Sequence, residues 1–326
     1  MPISNSLSDP HIRPIQLRRD LDEVANLVEV CFSDHMDAEG RSYLQNIRRI
    51  GREGNSYYLD ATSPETSSVP FHGYVWVENG KIIGNITLIY LHKKEQNIYF
   101  IANVAVDPAY RNQKIAHRLT ERALMHVREH HGHSVILQVR EDNPSAIHVY
   151  ESLGFSEILR RTNWGFNHMP AETKDLPVPV KIKPREKESW PQQKKWLEEI
   201  YPEKVTWFLP FQISKHEPGF FTWLSRWLDS ESMRFWEAQD DGHLIGFASL
   251  EWINAFQDYL WIATSPAFEE MAISALISHT VRHTHNPYKI QVNYPAHRAE
   301  SAFQNTGMKE INTLIWMENK PSPLDG

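Results

Sequence analysis

The sequence predicts an α/β (α+β) fold built as two tandem lobes, each a mixed, mostly antiparallel sheet flanked by helices. Three observations predict it. Residues 97–166 carry strand, loop, helix, strand, helix and strand signals in one block. An Asn79-Gly80 turn sits between two apolar runs, which marks a hairpin. The second half of the chain repeats these signals in the same order.

Taken in order, residues 12–17 read as a first strand. Asp20 is placed to cap a helix with Leu21, Val24, Ala25, Val28 and Phe32 on one side. Tyr43, Leu44, Ile47 and Ile50 mark a second helix. Residues 52–72 are polar and rich in Ser, Thr, Pro and Gly, which predicts an irregular loop, either a solvated connection or a lid. Residues 74–77 and 82–90 form the hairpin strands, with Gly84 at a bulge or a close contact. Alternation from Tyr99 to Val106 puts Tyr99, Ile101 and Asn103 on one face, and Phe100, Ala102, Val104 and Val106 on the other. Asp107-Pro108 ends that strand. Ile115, Leu119, Ala123 and Val127 recur every fourth residue and define the buried stripe of a helix. Residues 134–139 are β-rich, Asn143-Pro144-Ser145 opens a short helix that stops at Gly154, and residues 160–166 finish a last strand.

Prolines 170, 177, 179 and 184 exclude regular helix across the next stretch, which is read as a linker into a new strand at 178–182. The repeat then follows. Gly242 and Gly246 lie 162 residues after Gly80 and Gly84, Pro266 lies 158 after Pro108, and Gly307 lies 153 after Gly154. The drift fits loop-length changes between two copies of one fold. The expected boundaries are a leader at 1–11, a first domain at 12–168, a linker at 169–177, a second domain at 178–320 and a tail at 321–326.

The chain has 326 residues, 41% of them hydrophobic, which is enough for two cores. Lys and Arg total 34 against 41 Asp and Glu, a net charge of −7. That argues against a general nucleic-acid binder, which needs a basic surface. The single cysteine, Cys31, excludes an internal disulfide and a multi-cysteine metal site; its apolar helical setting predicts a buried thiol. No apolar run reaches the length of a membrane span, and the polar N-terminus has no secretory h-region, so a cytoplasmic protein with no membrane partner is expected.

The candidate chemistry lies between strand and helix. Arg111 comes just before a helix start. The first backbone N–H groups of a helix have no intrahelical partner, and the dipole there favours anions. Bare amides beside an arginine suit a phosphate group. The same residues also suit an ordinary capped turn.

The motif Val-Asp-Pro-x-Tyr-Arg-x-x-Lys-Ile-Ala around Arg111, followed by Asn143-x-x-Ala146-x-x-x-Tyr150-x-x-x-Gly154-Phe155, resembles the acyl-CoA signature of the GNAT acetyltransferase superfamily. The family pattern places glycine where this chain has Lys114. A left-handed backbone there would cost a side chain about 1 kcal/mol. The two-lobe arrangement is similar to that of mycothiol synthase.

The resemblance implies transfer of an acyl group, usually acetyl, from CoA to an amine, with no metal. It implies that the strand backbone at Val104 and Val106 holds the pantetheine arm. Arg111, Asn112, Gln113, Lys114, Ile115 and Ala116 would cradle the pyrophosphate, and Asn143 would contact the cofactor arm. It implies that Tyr150 protonates the departing thiolate. Many members of the family carry a carboxylate on the preceding strand; residues 99–106 have none. Asn103 or Tyr99, through a water, and Glu95 or His92, from the strand ends, are the remaining candidates for the proton relay. The helical pair near residue 43 would border the acceptor site. A non-catalytic acyl-CoA-binding or regulatory protein is the alternative reading. Acceptor identity and oligomeric state stay open.

The second lobe departs from this pattern. Glu269 and Glu270 stand where Arg111 and Asn112 do, Phe303 replaces Tyr150, and Ala296 replaces Asn143. Carboxylates would repel a pyrophosphate, so this lobe is expected to bind no CoA. Its aromatic residues Trp207, Phe208, Phe211, Phe220, Phe221, Trp223 and Trp227 predict a core and an inter-lobe interface, or a surface that covers or shapes the acceptor cleft of the first lobe. His126 and His130 have a spacing that can hold zinc. They share a face with Arg122, and a solvated surface is expected for them, as for His279, His283, His285 and His148.

Overall fold

The computed structural model describes residues 9–33, 36, 38–53, 72–166, 180–219, 233–253 and 257–321. The chain forms two compact units: Met1–Leu159 with Ile315–Gly326, and Arg160–Leu314.

In the first unit, β1 (Ile12–Pro14) pairs antiparallel with β2 (His72–Glu78), β2 with β3 (Lys81–Lys93) and β3 with β4 (Gln96–Val106). β4 then pairs parallel with β5 (Ser134–Arg140). Helices α1 (Leu17–Phe32) and α2 (Ala38–Glu53) pack Leu21, Val24, Leu44 and Ile47 against Val75, Ile82 and Ala105. Helices α3 (Ile115–Glu129) and α4 (Pro144–Ser152) pack with Tyr74, Ile83, Tyr99 and Ile101 in a separate core. The four residues of the expected α3 stripe are all buried.

Helix α1 starts earlier than its expected cap. Asp20 lies inside the first turn, where its carboxylate accepts the Gln16 N–H at 2.7 Å and two bonds from Arg13 at 2.6 and 2.9 Å. It closes the helix start from within, as a capping-box acid does. Phe32 is exposed and does not join the α1 stripe. Asn79 and Gly80 both have positive φ (50° and 79°), as a type I′ hairpin turn requires. A Cβ on Gly84 would sit 2.9 Å from Ile115 Cγ2 and 3.0 Å from Leu119 Cδ1, so glycine lets α3 approach β3.

The alternation expected along β4 reverses at Asn103. Asn85 lies opposite Ala105 while Thr87 lies opposite Ala102, so β4 carries one extra residue. Asn103 takes a left-handed conformation (φ 52°) to accommodate it. Tyr99 and Ile101 before the bulge, and Val104 and Val106 after it, therefore all pack on the α3 side. Ala105 turns to α1 and α2.

The end of β12 (Lys309–Asn319) lies next to β5. Ile315 and Met317 enter the first core, Ser134 donates to Glu318 at 2.7 Å, and Asn319 donates to Leu153 O at 3.0 Å.

In the second unit, β7 (Lys181–Pro184), β8 (Met233–Asp240), β9 (His243–Trp252) and β10 (Asp258–Thr264) pair antiparallel in sequence, and β10 pairs parallel with β11 (Ile290–Pro295). Its helices are α5 (Trp190–Ile200), α6 (Glu203–Thr206), α7 (Glu269–Arg282) and α8 (Glu300–Asn305). β6 (Ser156–Gly165) pairs with β11 from Arg161 to Gly165. Thr162 bonds Thr313 at 2.8 Å and Asn163 bonds Asn312 at 2.7 Å, so the first half of β12 lies here as well.

Each unit thus closes its sheet with strand residues that chain order would give to the other. The expected boundaries at 168 and 178 differ from the units for this reason. The expected linker, and Phe220, Phe221, Trp223 and Trp227, lie outside the described residues. Phe211 is buried in the second core, stacked on Tyr201 with ring centroids 4.7 Å apart.

Candidate active site

The strands β4 and β5 pair only from Ile98↔Ser134 to Ile101↔Leu137. Past that point β4 continues to Val106 and β5 to Arg140 without a pairing between them. The bulge at Asn103 begins where the pairing stops. The backbone of residues 102–106 makes no pairing with β5, and, apart from Val106 O, which accepts the Cys31 thiol, an extended ligand arm can add hydrogen bonds here in the manner of a strand.

The loop after β4 is fixed at its base. Asp107 N–H donates to Ile83 O at 2.8 Å. The Asp107 carboxylate accepts Ala109 N–H at 3.0 Å and Lys81 Nζ at 3.0 Å, and these bonds hold it below the usual carboxylate range. Asn112 (φ 63°) and Lys114 (φ 61°) then both take left-handed conformations. Lys114 is the N-cap of α3 and gives no side-chain cap bond. Among the described residues, the N–H groups from Asn112 to Ala116 have no partner. They surround the positive end of the α3 dipole, beside the exposed guanidinium of Arg111. Arg111 to Lys114 are all exposed, while Ile115 anchors the helix in the core. The geometry is that of an anion cradle, and it fits a CoA pyrophosphate.

Arg111 has a neighbour for which the sequence carries no signal. Cys31, on α1, donates its thiol to Val106 O at 3.2 Å. It is half-buried, and burial pushes its pKa up against the opposing pull of the Arg111 guanidinium. The thiol therefore stays protonated.

Tyr150 is buried on α4, edge-on to Phe155 with centroids 5.9 Å apart. Its hydroxyl has no hydrogen-bond partner among the described residues, and burial raises its pKa. Asn143 caps α4 by accepting Ala146 N–H at 3.1 Å, which leaves its Nδ2 group free of that bond. Asn103 Nδ2 donates to Tyr43 Oη at 2.6 Å, and its backbone carbonyl accepts Asn85 Nδ2 at 3.0 Å. Tyr43 was legible only as a core position of α2.

Two expected base candidates fall away. Lys94 and Glu95 form the turn between β3 and β4, and His92 bonds Asn97 at 3.1 Å beside it. Glu95 is eight residues from Asn103, about 27 Å along the strand. His126 also departs from its expected place. It follows Leu119 by seven residues and Ala123 by three, so it borders the buried stripe rather than opposing it. It is half-buried against Tyr74 and Tyr99, and burial lowers its pKa to about 4, with His130, His72 and Arg122 adding to the shift.

Among the described residues, the second unit has no such cradle. Gly246 meets Ala272 and Leu276 as Gly84 meets Ile115 and Leu119. In that register Glu269 stands opposite Asn112, one place from the simple alignment. Helix α7 begins at Glu269, so residues matching the left-handed turn are wound into helix. The Glu269 carboxylate accepts Tyr294 Oη at 2.7 Å and Arg298 Nη2 at 2.6 Å. A protein carboxylate already sits at this helix start. Phe303, at the place of Tyr150, is fully buried and stacks on Trp164 with centroids 4.9 Å apart.

Residues 34–155 match the model described as the acetyltransferase (GNAT) family. That stretch, most of the first unit, is a GNAT-family domain. Among curated members, it is similar to the [ribosomal protein bS18]-alanine N-acetyltransferase of Escherichia coli K12, 39% identical over 62 residues, which cover 19% of this chain and 42% of that protein. It is similar to the N-alpha-acetyltransferase RimI of Mycobacterium tuberculosis, 34% identical over 94 residues, 28% of this chain and 58% of that protein. The chain spans about half the length of the curated relatives it matches.

Two solved GNAT structures share the fold of nearly the whole chain. The GCN5-related N-acetyltransferase from Sphaerobacter thermophilus superposes with a TM-score of 0.56 at 13% identity, covering 98% of this chain and 99% of that one. A tandem GNAT protein from the clavulanic acid biosynthesis pathway gives 0.54 at 14% identity, covering 96% and 99%. The GNAT fold thus extends through both units, as the repeat predicts.

Proposed function

We propose that this chain is an N-acyltransferase that moves an acyl group, acetyl in the simplest case, from CoA to an amine, with its working site in the first unit. The observation that carries the reading is the cradle: five amides from Asn112 to Ala116, with no partner among the described residues, beside Arg111. The second unit, with Glu269 tied to Tyr294 and Arg298 at the same helix start, takes no CoA in this reading.

Bound acetyl-CoA supplies an activated thioester carbonyl. Arg111 and the α3 amides hold the anionic end of the donor. The open β4 edge at Val104 and Val106 orients its arm, and this fixed placement removes much of the entropic cost of bringing two reactants together. Asn143 Nδ2 is a further donor toward the arm. Tyr150 Oη holds its proton and is the acid for the leaving sulfur; the low-polarity setting that raises the phenol also raises a thiolate. Asn103 and Tyr43 position a water that accepts the amine proton, in place of a strand carboxylate. The curated relatives are named for acetylation of alanine and of α-amino groups, which favours a protein or peptide N-terminus as the acceptor here.

A non-catalytic acyl-CoA-binding role is the second reading, favoured by the absence of a carboxylate from β4. Release of free CoA thiol from acetyl-CoA separates the two. Catalysis predicts that alanine-initiated peptides or small amines accelerate thiol release and gain an acetyl mass. Acetyl-CoA binding with no acceleration by any amine supports the second reading.

A further inference from the structure

The C-terminal end of α3 carries a second cluster of ligand-type side chains. By helical rise it lies about 16 Å along α3 from the cradle. One ligand atom from each of His126, Glu129 and His130 lies within 4.8 Å of the others. The i, i+3, i+4 spacing puts all three on one helix face. The His126 and His130 rings stack with centroids 4.1 Å apart and an interplanar angle of 23°. His72, at the start of β2, has its ring 5.8 Å from that of His126.

The outer hydrogen bonds are those of metal-ligating histidines. His130 Nδ1 is 2.8 Å from His126 O; a carbonyl only accepts, so that nitrogen carries the proton and Nε2 presents a lone pair. His126 Nδ1 is 3.0 Å from Tyr74 Oη, which can accept its proton and leave Nε2 unprotonated. Such second contacts fix the tautomer and orient the ring.

We propose that His126, Glu129 and His130, with His72 as the neighbouring fourth donor, form a binding site for a divalent transition-metal ion of the zinc class. Two imidazoles and a carboxylate suit zinc, with bonds of about 2.0–2.1 Å and donors about 3.3 Å apart in a tetrahedral shell. Small side-chain rotations must draw the three together. Arg122 competes for the carboxylate, since it bonds Glu129 at 3.3–3.4 Å. Helix α7 supplies an internal contrast. His279 and His283 stack at 4.0 Å and His283 Nδ1 lies 2.8 Å from His279 O, but Arg282 replaces the glutamate. That pair lacks the anionic ligand and is not a site.

The test is zinc titration of the full chain by calorimetry, with cobalt absorption reporting the coordination geometry. One ion per chain and tetrahedral cobalt bands are expected. His130 is exposed, so His130→Gln leaves the fold intact, and it weakens binding by about tenfold or more. His126→Gln weakens binding likewise. Arg122→Gln strengthens binding by freeing Glu129, and His283→Gln has no effect. No uptake, or uptake unchanged by both His126→Gln and His130→Gln, overturns the site. Loss of the ion on His283→Gln overturns it as well.

Discussion

Asn103 donates its side-chain amide to Tyr43 Oη at 2.6 Å, joining the β4 bulge to helix α2. The Asn103 carbonyl is held in turn by Asn85 Nδ2 at 3.0 Å. The bulge is therefore fixed from both sides, at the point where β4 parts from β5. Its left-handed φ of 52° suits asparagine or glycine. Asn103→Val is predicted to cost about 1–2 kcal/mol of stability by urea unfolding. Asn103→Gly keeps the backbone but removes the bond to Tyr43, and should lower kcat while unfolding near the wild-type midpoint. A Gly variant with unchanged kcat would leave Asn103 without a part in proton relay.

The Tyr150 hydroxyl has no hydrogen-bond partner among the described residues, and burial raises its pKa. It keeps its proton throughout the physiological range. Tyr150→Phe retains the packing on Phe155 and should lower kcat about 10²-fold or more, the usual scale for loss of a general acid. KM for acetyl-CoA should move little. The wild-type rate should show no loss from tyrosine ionisation below about pH 10. Steady-state kinetics across pH check both statements.

Lys114 combines an unfavourable backbone with a favourable charge. At φ 61° its side chain costs about 1 kcal/mol relative to glycine. Lys114→Gly should therefore raise the urea midpoint. It should also weaken acetyl-CoA binding and flatten its salt dependence, because a cation near the phosphates is lost. Tighter binding by the glycine variant would place the ammonium outside the phosphate field.

Asp20 should set part of the acid limb of stability. Burial pushes its carboxyl up, but bonds from Arg13 and the Gln16 N–H outweigh that and hold it below its ordinary value. A lowered folded pKa adds stability that is present above the unfolded value of about 3.9 and is lost as pH falls through the folded value. Asp20→Asn should thus lower Tm near neutrality and narrow the gap to wild type in acid. Thermal melts from pH 7 down to about pH 2 test the sign.

Much of this was legible because period and turn chemistry are local. The stripe Ile115, Leu119, Ala123 and Val127, the Asn79-Gly80 turn and the Asn143 cap each rest on neighbours in sequence. The reversal at Asn103 was not legible, because one inserted residue leaves no mark in an alternating apolar run. Strand closure was hidden for another reason. β6 and β12 each follow a helix and a glycine of positive φ, Gly154 (84°) and Gly307 (86°), so local signals serve either pairing. Only tertiary packing separates Arg160–Gly165 from Ile315–Asn319. The tie between Cys31 and Arg111 joins residues far apart in sequence and has no sequence signal.

The most direct test of the first-unit site is acetyl-CoA calorimetry on the intact chain and on Arg111→Glu, which places a carboxylate at the cradle as Glu269 does at the start of α7. One site per chain, abolished by Arg111→Glu, is the predicted result. Two sites, or a single site that Arg111→Glu leaves intact, would contradict the assignment of the cradle to the first unit.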